Sequence, residues 1–380
     1  MRIGIACYPT FGGSGVVASE LGLELARRGH EIHIISYDLP IRIERYSSGV
    51  FFHEINVSSY PLFKYQPVTL SAACKMIDIA IECKLDIMHA HYALPWAVCA
   101  HLAREVAAER GKDLKIVTTL HGTDITLVGS EPAFFEMTRF GIKRSDAVTA
   151  VSAYLKDATV ETFKVNCPID VIHNFVDSKR FKPLDSDSHC CRKSLAPNGE
   201  KLMIHVSNFR AVKNIPDVIR TFALLQKKIS TRLLMVGEGP ELPAARTLAR
   251  ELGIADKISF MGNQQAVEDI LACSDIFILP SAHESFGLSA LEAMSCGLPV
   301  LATEIGGLRE VVTPGVDGWL CGVGDVNCMA DRAFALLSDE AKLKAFGSAA
   351  RQKAMTQFSP EKIVPLYEAV YARVLNGKLS

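Results

Sequence analysis

The sequence carries almost no net charge and contains no long hydrophobic run. Its 41 Lys and Arg residues are matched by 42 Asp and Glu residues, which gives a formal net charge of −1. Proteins whose main partner is nucleic acid or an anionic membrane usually carry a basic surplus, so neither partner is expected. The longest uncharged stretch, residues 87–103, contains three histidines and a proline and is a poor candidate for a membrane span. An anionic ligand would therefore be held by a local site.

The cysteines also lack the patterns of a disulfide framework or a zinc site. There are 11, an odd number, and none forms a C-x-x-C motif. This scattered usage predicts reduced thiols and a cytoplasmic location. His189, Cys190 and Cys191 are adjacent but lack zinc-ligand spacing, and no second pair follows them, so no metal is predicted. The apolar run at residues 3–7 is too short for a signal peptide.

What the sequence does contain is a repeated alternation of strands and helices. Its 380 residues, 49% hydrophobic and 22% charged, suit a globular protein of two domains. Short β-branched runs alternate with amphipathic helical segments from Ile3 onward, and the same alternation restarts after residue 200. This order predicts two α/β domains with parallel sheets. The polar segment 181–199 indicates a boundary near residue 182, giving domains 1–181 and 182–359, and a final helix over 360–380 could pack back on the first domain.

A glycine-rich segment follows the first predicted strand. Gly12, Gly13, Ser14 and Gly15 precede a helix, where backbone amides can approach an anionic ligand. Residues 13–18 also fit the dinucleotide pattern G-x-G-x-x-A, with Asp38 near the expected acidic position. The segment leaves open a nicotinamide enzyme, another enzyme with a phosphate-bearing ligand, and a plain tight turn.

A second motif, Thr118 to Asp124, begins at the carboxyl end of a predicted strand. That edge lines the ligand crevice in open α/β sheets, so His121 is a candidate site residue. The structural alternative is that Asp124 caps a turn and His121 is an ordinary loop residue. His89 and His91 end another predicted strand, and His89 is expected in the core.

The strongest motif is a pair of glutamates that spans the start of a helix. Glu284 and Glu292 are separated by seven residues, and the amides of Gly287 and Leu288 lie between them at the positive helix end. This arrangement suits a diphosphate, with Glu292 on a ribose and Glu284 on a sugar. The alternative is a pair of solvated helix acids. Strand and glycine context favour the functional interpretation.

A basic loop follows the first strand of the second domain. In residues 205–214, Arg210 and Lys213 supply charge-assisted donors for a phosphate leaving group. Solvation at the surface is the usual fate of such residues. Their position in the same domain as the glutamate pair favours a phosphate site.

Taken together, these motifs resemble the family 4 glycosyltransferases of the GT-B fold. The E-x7-E signature lies at 284–292, supported by V-G-E-G-P at 236–240 and G-G-L-R-E-V at 306–311, and the resemblance extends essentially end to end. It implies an α/β protein with two Rossmann-like, doubly wound parallel-sheet domains facing a central cleft. The nucleotide sugar would bind to 182–359 and the acceptor to 1–181.

Within that family, the segments 8–17, 89–95 and 118–129 resemble the enzymes that begin bacillithiol biosynthesis. The resemblance implies transfer of N-acetylglucosamine from UDP-N-acetylglucosamine to the hydroxyl of L-malate. The anomeric configuration would be retained, and neither a metal nor a cofactor would be required. These amino-domain segments are specific because the acceptor domain varies most among relatives.

The same resemblance implies roles for individual residues. Asn208 stands where the family usually has Arg, five residues before Lys213, so Arg210 is expected to take that role. Malate needs cations for its carboxylates, for which Arg139, with Lys64 behind it, is predicted. The catalytic residues implied are His121, Lys213, Arg210 and Glu284; the donor-binding residues are Gly12, Gly13, Asn208, Phe286, Gly287, Leu288 and Glu292; and the acceptor-binding residues are Ser14, Tyr92, Thr119, Arg139 and Lys64.

Several alternatives stay open at this point. A family 4 enzyme with another sugar or a lipid as acceptor, a nicotinamide oxidoreductase and a UDP-N-acetylglucosamine epimerase would each fit part of the pattern. The D-x-D sequence at 185–187 copies a metal motif of the other transferase fold but lies in the linker, so it is interpreted as solvated loop. Small-molecule substrates are the expected partners, and a homodimer is left open.

Overall fold

The computed structural model describes residues 1–9, 13–43, 47–57, 62, 64–184 and 189–377, and of residues 189–191 only the backbone. The chain forms two compact units, an amino-terminal unit of Met1–Asn174 with Glu361–Ser380 and a carboxyl-terminal unit of Phe175–Pro360. Gly12 and the D-x-D segment at 185–187 lie outside the described residues.

The division between the units falls after Asn174, earlier than the boundary expected at residue 182. The backbone N–H of Val176 donates to the carbonyl of Phe358 at 3.0 Å. Ser295 Oγ and Arg351 Nη1 both donate to the carbonyl of Phe181, at 2.7 and 2.6 Å. These bonds attach residues 176–181 to the carboxyl-terminal unit, although their composition suggests the preceding domain.

The amino-terminal unit is built on a parallel sheet in the order β3-β2-β1-β4-β5-β6-β7. After β1 the chain adds β2 and β3 on one side of the sheet and then crosses back to add β4 to β7 on the other side. The topological switch point therefore lies between β1 and β4. The strands are β1 (Arg2–Ala6), β2 (Glu31–Ser36), β3 (Val50–Glu54), β4 (Ile87–His91), β5 (Lys115–Leu120), β6 (Ala147–Ala150) and β7 (Ile169–Val171), and the helices are α1 (Ser14–Arg27), α2 (Val68–Glu82), α3 (Val98–Glu109), α4 (Phe135–Arg144) and α5 (Ala153–Phe163).

The carboxyl-terminal unit repeats this plan with the strand order β10-β9-β8-β11-β12-β13, and its switch point lies between β8 and β11. The strands are β8 (Lys201–Val206), β9 (Thr231–Val236), β10 (Ile258–Gly262), β11 (Ile276–Leu279), β12 (Val300–Thr303) and β13 (Gly318–Cys321). The helices are α6 (His189–Leu195), α7 (Ile215–Gln226), α8 (Leu242–Glu251), α9 (Val267–Ala272), α10 (Leu288–Ser295), α11 (Leu308–Val311), α12 (Val326–Leu337) and α13 (Glu340–Gln357).

Helix α7 shows how the sequence dictates these elements. Pro216 occupies its first turn, where the missing N–H costs no intrahelical bond, and Asp217 there complements the helix dipole. Five of its apolar side chains recur every three or four residues and are buried: Ile215, Val218, Ile219, Phe222 and Leu225. They belong to a core cluster that also contains Met203 of β8 and Ile278 of β11.

The terminal helix, α14 (Pro360–Leu375), packs on the amino-terminal unit. The Tyr371 hydroxyl lies 2.8 Å from His89 Nδ1, and Arg373 forms an ion pair with Asp170. No helix among the described residues has the length and apolar character needed to cross a membrane.

The expectation of reduced thiols is wrong at one position, because the structure joins Cys321 and Cys328 in a disulfide. Cys321 ends β13, and Cys328 lies in the first turn of α12, where its N–H donates to Asp325 Oδ1 at 2.9 Å. The turn between strand and helix brings the two side chains together. Among the other described side chains, the free cysteines are Cys7, Cys74, Cys83, Cys99, Cys167, Cys273 and Cys296.

Candidate functional site

At the switch point of the carboxyl-terminal unit, Lys213 and Glu284 form an ion pair. Lys213 Nζ donates to Glu284 Oε2 at 2.5 Å, and the two side chains are 19% and 15% exposed. Lys213 ends the 3₁₀ turn after β8, and Glu284 follows β11. Asn214 Nδ2 donates to the carbonyl of Pro280 at 3.0 Å, which helps hold the two loops together. The structure thus brings together the cation and the carboxylate that the sequence assigns to one phosphate-sugar site.

A glycine turn joins the loop that carries Glu284 to the start of α10. Gly287 has a φ of 97°, and a Cβ added there would lie 2.6 Å from Leu308 Cδ2. A Cβ on Gly307 would lie 2.1 Å from the carbonyl oxygen of Ser285, and the Gly307 N–H donates to the carbonyl of Glu284 at 3.1 Å. Only glycine fits at these contacts, so the G-G-L segment holds the loop that carries Glu284. The first amides of α10 have no intrahelical acceptor and suit an anion.

The two remaining residues of the α10 motif are both buried. Glu292 is 8% exposed in the second turn of the helix. Phe286 is 2% exposed and packs edge-on against Phe358, with ring centroids 5.8 Å apart. The side chain of Phe286 is therefore part of the hydrophobic core rather than of an open binding surface.

The loop after β8 rests on the glycines of the V-G-E-G-P segment. A Cβ on Gly237 would lie 1.8 Å from the carbonyl oxygen of Ser207, and one on Gly239 would lie 2.7 Å from that of Phe209. Asn208 and Arg210, which flank Phe209, are both exposed. The loop is thus fixed by close backbone packing while its polar side chains remain accessible.

His205, which the sequence analysis did not single out, anchors this loop from beneath. Its Nδ1 lies 2.9 Å from the carbonyl of Ile278, and its Nε2 lies 2.7 Å from Ser207 Oγ. Burial lowers its pKa to about 4, with a smaller contribution from Lys213, so the ring is neutral near pH 7. The signal available in the sequence was a histidine inside an otherwise apolar strand that leads into the basic loop.

In the amino-terminal unit, the loop after β5 is organised by a buried carboxylate. Asp124 Oδ1 accepts from the N–H groups of Gly122 and His121 at 2.9 and 3.2 Å, and Oδ2 accepts from the N–H of Ala93 at 2.9 Å. Burial raises the pKa of Asp124 to about 6, although these amides act in the opposite direction. The capping role proposed as the alternative for Asp124 is therefore present, and it fixes the position of His121.

His121 is half-buried and contacts a second histidine. Its Nε2 lies 2.9 Å from Nδ1 of the fully buried His91. Among the described residues, His91 Nε2 has no hydrogen-bond partner. Placing the His91 proton on Nδ1 avoids a buried N–H without an acceptor, so His91 donates to His121 Nε2. His121 then carries its own proton on Nδ1 and can donate a hydrogen bond to a ligand.

Tyr92 lies beside this pair in an unusual backbone conformation. Its φ is 98°, and its ring centroid is 5.2 Å from that of His121. The Tyr92 N–H donates to the carbonyl of Thr119 at 2.9 Å, which holds the end of β4 against β5. A non-glycine residue in this region is strained, and such strain often accompanies a functional site.

Comparison with known proteins identifies the family. Residues 191–353 match the group 1 glycosyl transferases, and residues 11–180 match glycosyltransferase family 4. The N-acetyl-alpha-D-glucosaminyl L-malate synthase of Bacillus anthracis is 45% identical over 383 residues, covering 100% of both chains. The chain is a family 4 glycosyltransferase. This membership decides against the nicotinamide oxidoreductase that the glycine-rich segment had left open.

Other relatives of this glycosyltransferase are more distant. The D-inositol 3-phosphate glycosyltransferase of Mycobacterium marinum is 29% identical, over 96% of this chain and 82% of that protein. HepE of Anabaena, solved in complex with UDP and glucose, superimposes with a TM-score of 0.82 at 21% identity, covering 98% and 99% of the two chains. Sucrose-phosphate synthase of Thermosynechococcus elongatus gives a TM-score of 0.80 at 19% identity over 100% of both. These likenesses confirm the expected α/β architecture of the GT-B type.

The structure places Thr119, one of the predicted acceptor residues, in the interior of the sheet. Thr119 is fully buried, and its hydroxyl lies 2.7 Å from both His89 Nε2 and Thr149 Oγ1. The hydroxyl is therefore used in the interior of the sheet, because Thr119 lies on the same face of the sheet as His89 of β4 and Thr149 of β6. His89 itself is fully buried, as expected for a core residue, and burial lowers its pKa to about 3.

Gly13, predicted to bind the donor, and the remaining predicted acceptor residues lie at three places in the amino-terminal unit. Gly13, with a φ of 50°, precedes α1, and Ser14 begins that helix with 6% exposure. Arg139 lies on α4 and pairs with Glu136 at 3.8 Å, while Lys64 is exposed over the ring of Tyr65 at 5.5 Å.

Proposed function

We propose that this glycosyltransferase moves N-acetylglucosamine from UDP-N-acetylglucosamine to the hydroxyl of L-malate, with retention of the anomeric configuration. The observation that carries the proposal is the 45% identity to the Bacillus anthracis malate synthase over the full length. That identity includes the amino-terminal unit, to which we assign the acceptor. Glu284 and Lys213 at the switch point supply the chemistry that a nucleotide-sugar donor requires.

In this proposal, Lys213 and the first amides of α10 bind the diphosphate of the donor. Negative charge grows on the diphosphate as the glycosidic bond breaks, and preorganised donors stabilise that charge. Lys213 Nζ is already held by Glu284, so it meets the phosphate in a fixed position. Arg210 and Asn208 lie exposed on the adjoining loop, where they can add hydrogen bonds. We propose that this set of donors makes a metal unnecessary for transfer.

The carboxylates and the histidine orient the sugar rather than attack it. Glu292 would accept from the uridine ribose and Glu284 from the transferred sugar, while the Nδ1–H of His121 would donate to a sugar oxygen. The hydroxyl of malate attacks the anomeric carbon on the face from which the diphosphate departs. A diphosphate oxygen accepts the proton of that hydroxyl, so no side chain forms a covalent intermediate.

Malate binding is proposed for the amino-terminal unit. Ser14 at the start of α1 can place its hydroxyl and amide on a carboxylate, since a helix amino end favours negative charge. Tyr92 stands beside His121 and can direct the acceptor hydroxyl toward the reacting carbon. Arg139 and Lys64 remain the predicted cations for the carboxylates.

The test is mass spectrometry of the product formed from UDP-N-acetylglucosamine and L-malate by the purified enzyme. The expected product has the mass of malate plus one N-acetylglucosaminyl group and appears in step with UDP. The acceptor panel should include inositol 3-phosphate, because the more distant relatives are named for that acceptor. Transfer to another acceptor with no product from malate would overturn the proposal.

Three further features are part of the proposal. The absence of a cofactor is expected because the nucleotide sugar already carries the energy for transfer. The cytoplasmic location and the homodimer stay predictions. Size-exclusion chromatography with light scattering measures the oligomeric state, and the product analysis repeated after chelation tests the metal-free reaction.

A further inference from the structure

A cluster of two histidines and a cysteine lies in the amino-terminal unit, on elements that the proposed reaction does not use. One nitrogen each from His33 and His53 and the Sγ of Cys83 all lie within 4.8 Å of one another. His33 is on β2, His53 is on the edge strand β3, and Cys83 directly follows α2. The ligands therefore come from three separate elements, which is typical of sites that stabilise a fold.

Strand register explains why the two histidines meet. His33 pairs with Phe51, and Ile35 pairs with His53. Side chains two residues apart on a strand share a face, so His33 and His53 are diagonal neighbours on one face of the sheet. Their rings are nearly parallel, with centroids 5.1 Å apart, and His33 Nδ1 lies 2.9 Å from His53 Nε2.

A carboxylate already orients the first ring for metal binding. His33 Nε2 lies 3.0 Å from Glu31 Oε1, so this nitrogen carries the proton of the neutral ring. The lone pair is then on Nδ1 and points toward His53. Metal-binding histidines usually donate their other N–H to a carboxylate or carbonyl in this manner.

We propose that His33 Nδ1, His53 Nε2 and Cys83 Sγ bind a divalent transition-metal ion of the Zn²⁺ class. Two imidazoles and a thiolate form a donor set that suits Zn²⁺ and Co²⁺ and leaves a fourth position for water. Two nitrogens that bind one tetrahedral ion at about 2.0–2.1 Å are about 3.3 Å apart, only a few tenths of an ångström beyond the present separation. Cys83 Sγ lies within 4.8 Å of both nitrogens and has to approach to about 3.5 Å from each, so its side chain must rotate toward the histidine pair.

Binding requires limited proton movement. The pKa of His53 is lowered to about 4, mainly by burial and also by His33 and Lys75, so the ring is neutral near pH 7. Its proton shifts to Nδ1 when Nε2 binds the metal. The pKa of the Cys83 thiol is raised, mainly by burial and also by Glu82 and Glu31, with Arg2 opposing. Forming the metal–sulfur bond therefore releases one proton to solvent.

The ion would join the end of α2 to the outer strands of the sheet. The proposal does not depend on the reaction assigned above, because none of its three ligands has a role in that reaction. Its test uses Co²⁺ as the probe, with the full-length chain first treated with a chelator. We expect one Co²⁺ per chain, the visible bands of a tetrahedral complex, a thiolate charge-transfer band, and release of one proton per ion.

The variants Cys83→Ser and His53→Gln should bind Co²⁺ at least tenfold more weakly than the wild type. Cys74→Ser is the matched control, since Cys74 is an exposed free cysteine on the same helix α2. Glu31→Gln should weaken binding about tenfold while keeping the tetrahedral spectrum, as expected for loss of an orienting carboxylate. Equal binding by the wild type and Cys83→Ser, or no Co²⁺ bound by the wild type, would overturn the proposal.

A measurement on the wild type alone avoids any folding defect of the variants. Zn²⁺ should slow alkylation of Cys83 at least tenfold, while Cys74 is labelled at an unchanged rate, as read by peptide mass spectrometry. Equal labelling of Cys83 with and without Zn²⁺ would also count against the site.

Discussion

The candidate site residues of the two units differ in charge, although both units have the same kind of parallel-sheet topology. In the carboxyl-terminal unit, a cation and a carboxylate meet at the switch point, as the 2.5 Å contact of Lys213 with Glu284 shows. In the amino-terminal unit, the paired histidines beside the sheet edge are neutral, since burial lowers the pKa of His121 to about 3 and that of His91 well below its usual range. In the proposed reaction, the charged pair would bind the phosphates of the donor, and the neutral His121 would orient a sugar oxygen.

The largest effect is expected from removing the cation. Lys213→Ala should lower the turnover number about 10²–10³-fold, because the loss of one preorganised donor to a developing oxyanion costs about 2.7–4 kcal/mol. The rate of UDP release under saturating substrates measures this. Lys213→Arg keeps the charge and should retain more activity than the alanine variant. Near-normal turnover of Lys213→Ala would show that the contrast in charge has no catalytic role.

A second prediction concerns the turn that positions α10. Gly287→Ala should lower the free energy of unfolding by about 1–3 kcal/mol and weaken UDP binding, because its φ is unfavourable and Leu308 occupies the space. Urea denaturation and calorimetric UDP titration measure the two effects. Gly324→Ala is the control, since Gly324 has a φ of 80° and nothing within 4 Å of an added Cβ. If both variants behave alike, contact with Leu308 is unimportant.

The neutral pair in the amino-terminal unit gives a smaller expected effect. His91→Ala removes the group that holds His121 Nε2 and should reduce turnover about tenfold, equivalent to about 1.4 kcal/mol. His91→Asn places an amide near the former Nδ1 and should recover part of that loss. Steady-state kinetics at several malate concentrations separates the effect on turnover from the effect on KM. An asparagine variant no better than alanine would contradict the positioning role.

The smallest expected difference between the two units is in their loss of stability at acidic pH. The folded-state pKa values of His89 and His121 are about 3, below the ordinary value of 6.5, so the unfolded chain binds protons that the folded unit does not. The contribution of these two histidines to the free energy of unfolding is fully present above pH 6.5 and decreases as the pH falls toward 3. Among its described residues, the carboxyl-terminal unit carries one such histidine, His205, whose pKa is about 4. Hydrogen exchange at pH 7 and pH 5, corrected for intrinsic exchange rates, should therefore show greater loss of protection in β4 and β5 than in β12 and β13, which contain no histidine. Equal loss would remove the distinction.

The same comparison explains what the sequence could predict. The donor residues lie in short local motifs, and strand alternation fixes the edge at which Lys213 and Glu284 emerge. A central strand of a parallel sheet is buried on both faces. The alternation of apolar and polar residues therefore could not show that the Thr119 side chain contacts His89 in the interior rather than an acceptor. The His33–His53 contact and the division of the units after Asn174 depend on strand register and long-range packing, and the Cys321–Cys328 disulfide depends on the geometry of the turn from β13 to α12. No local pattern specifies those features.

The return of α14 to the amino-terminal unit has a consequence for the order of synthesis. Tyr371 completes the surroundings of His89, yet the ribosome makes it only after the whole carboxyl-terminal unit. At about 5–20 residues per second, this delay lasts on the order of ten seconds or more. The amino-terminal unit leaves the ribosome first but is completed last. Until α14 has been translated, β4 and β5 lack the contacts that this helix provides.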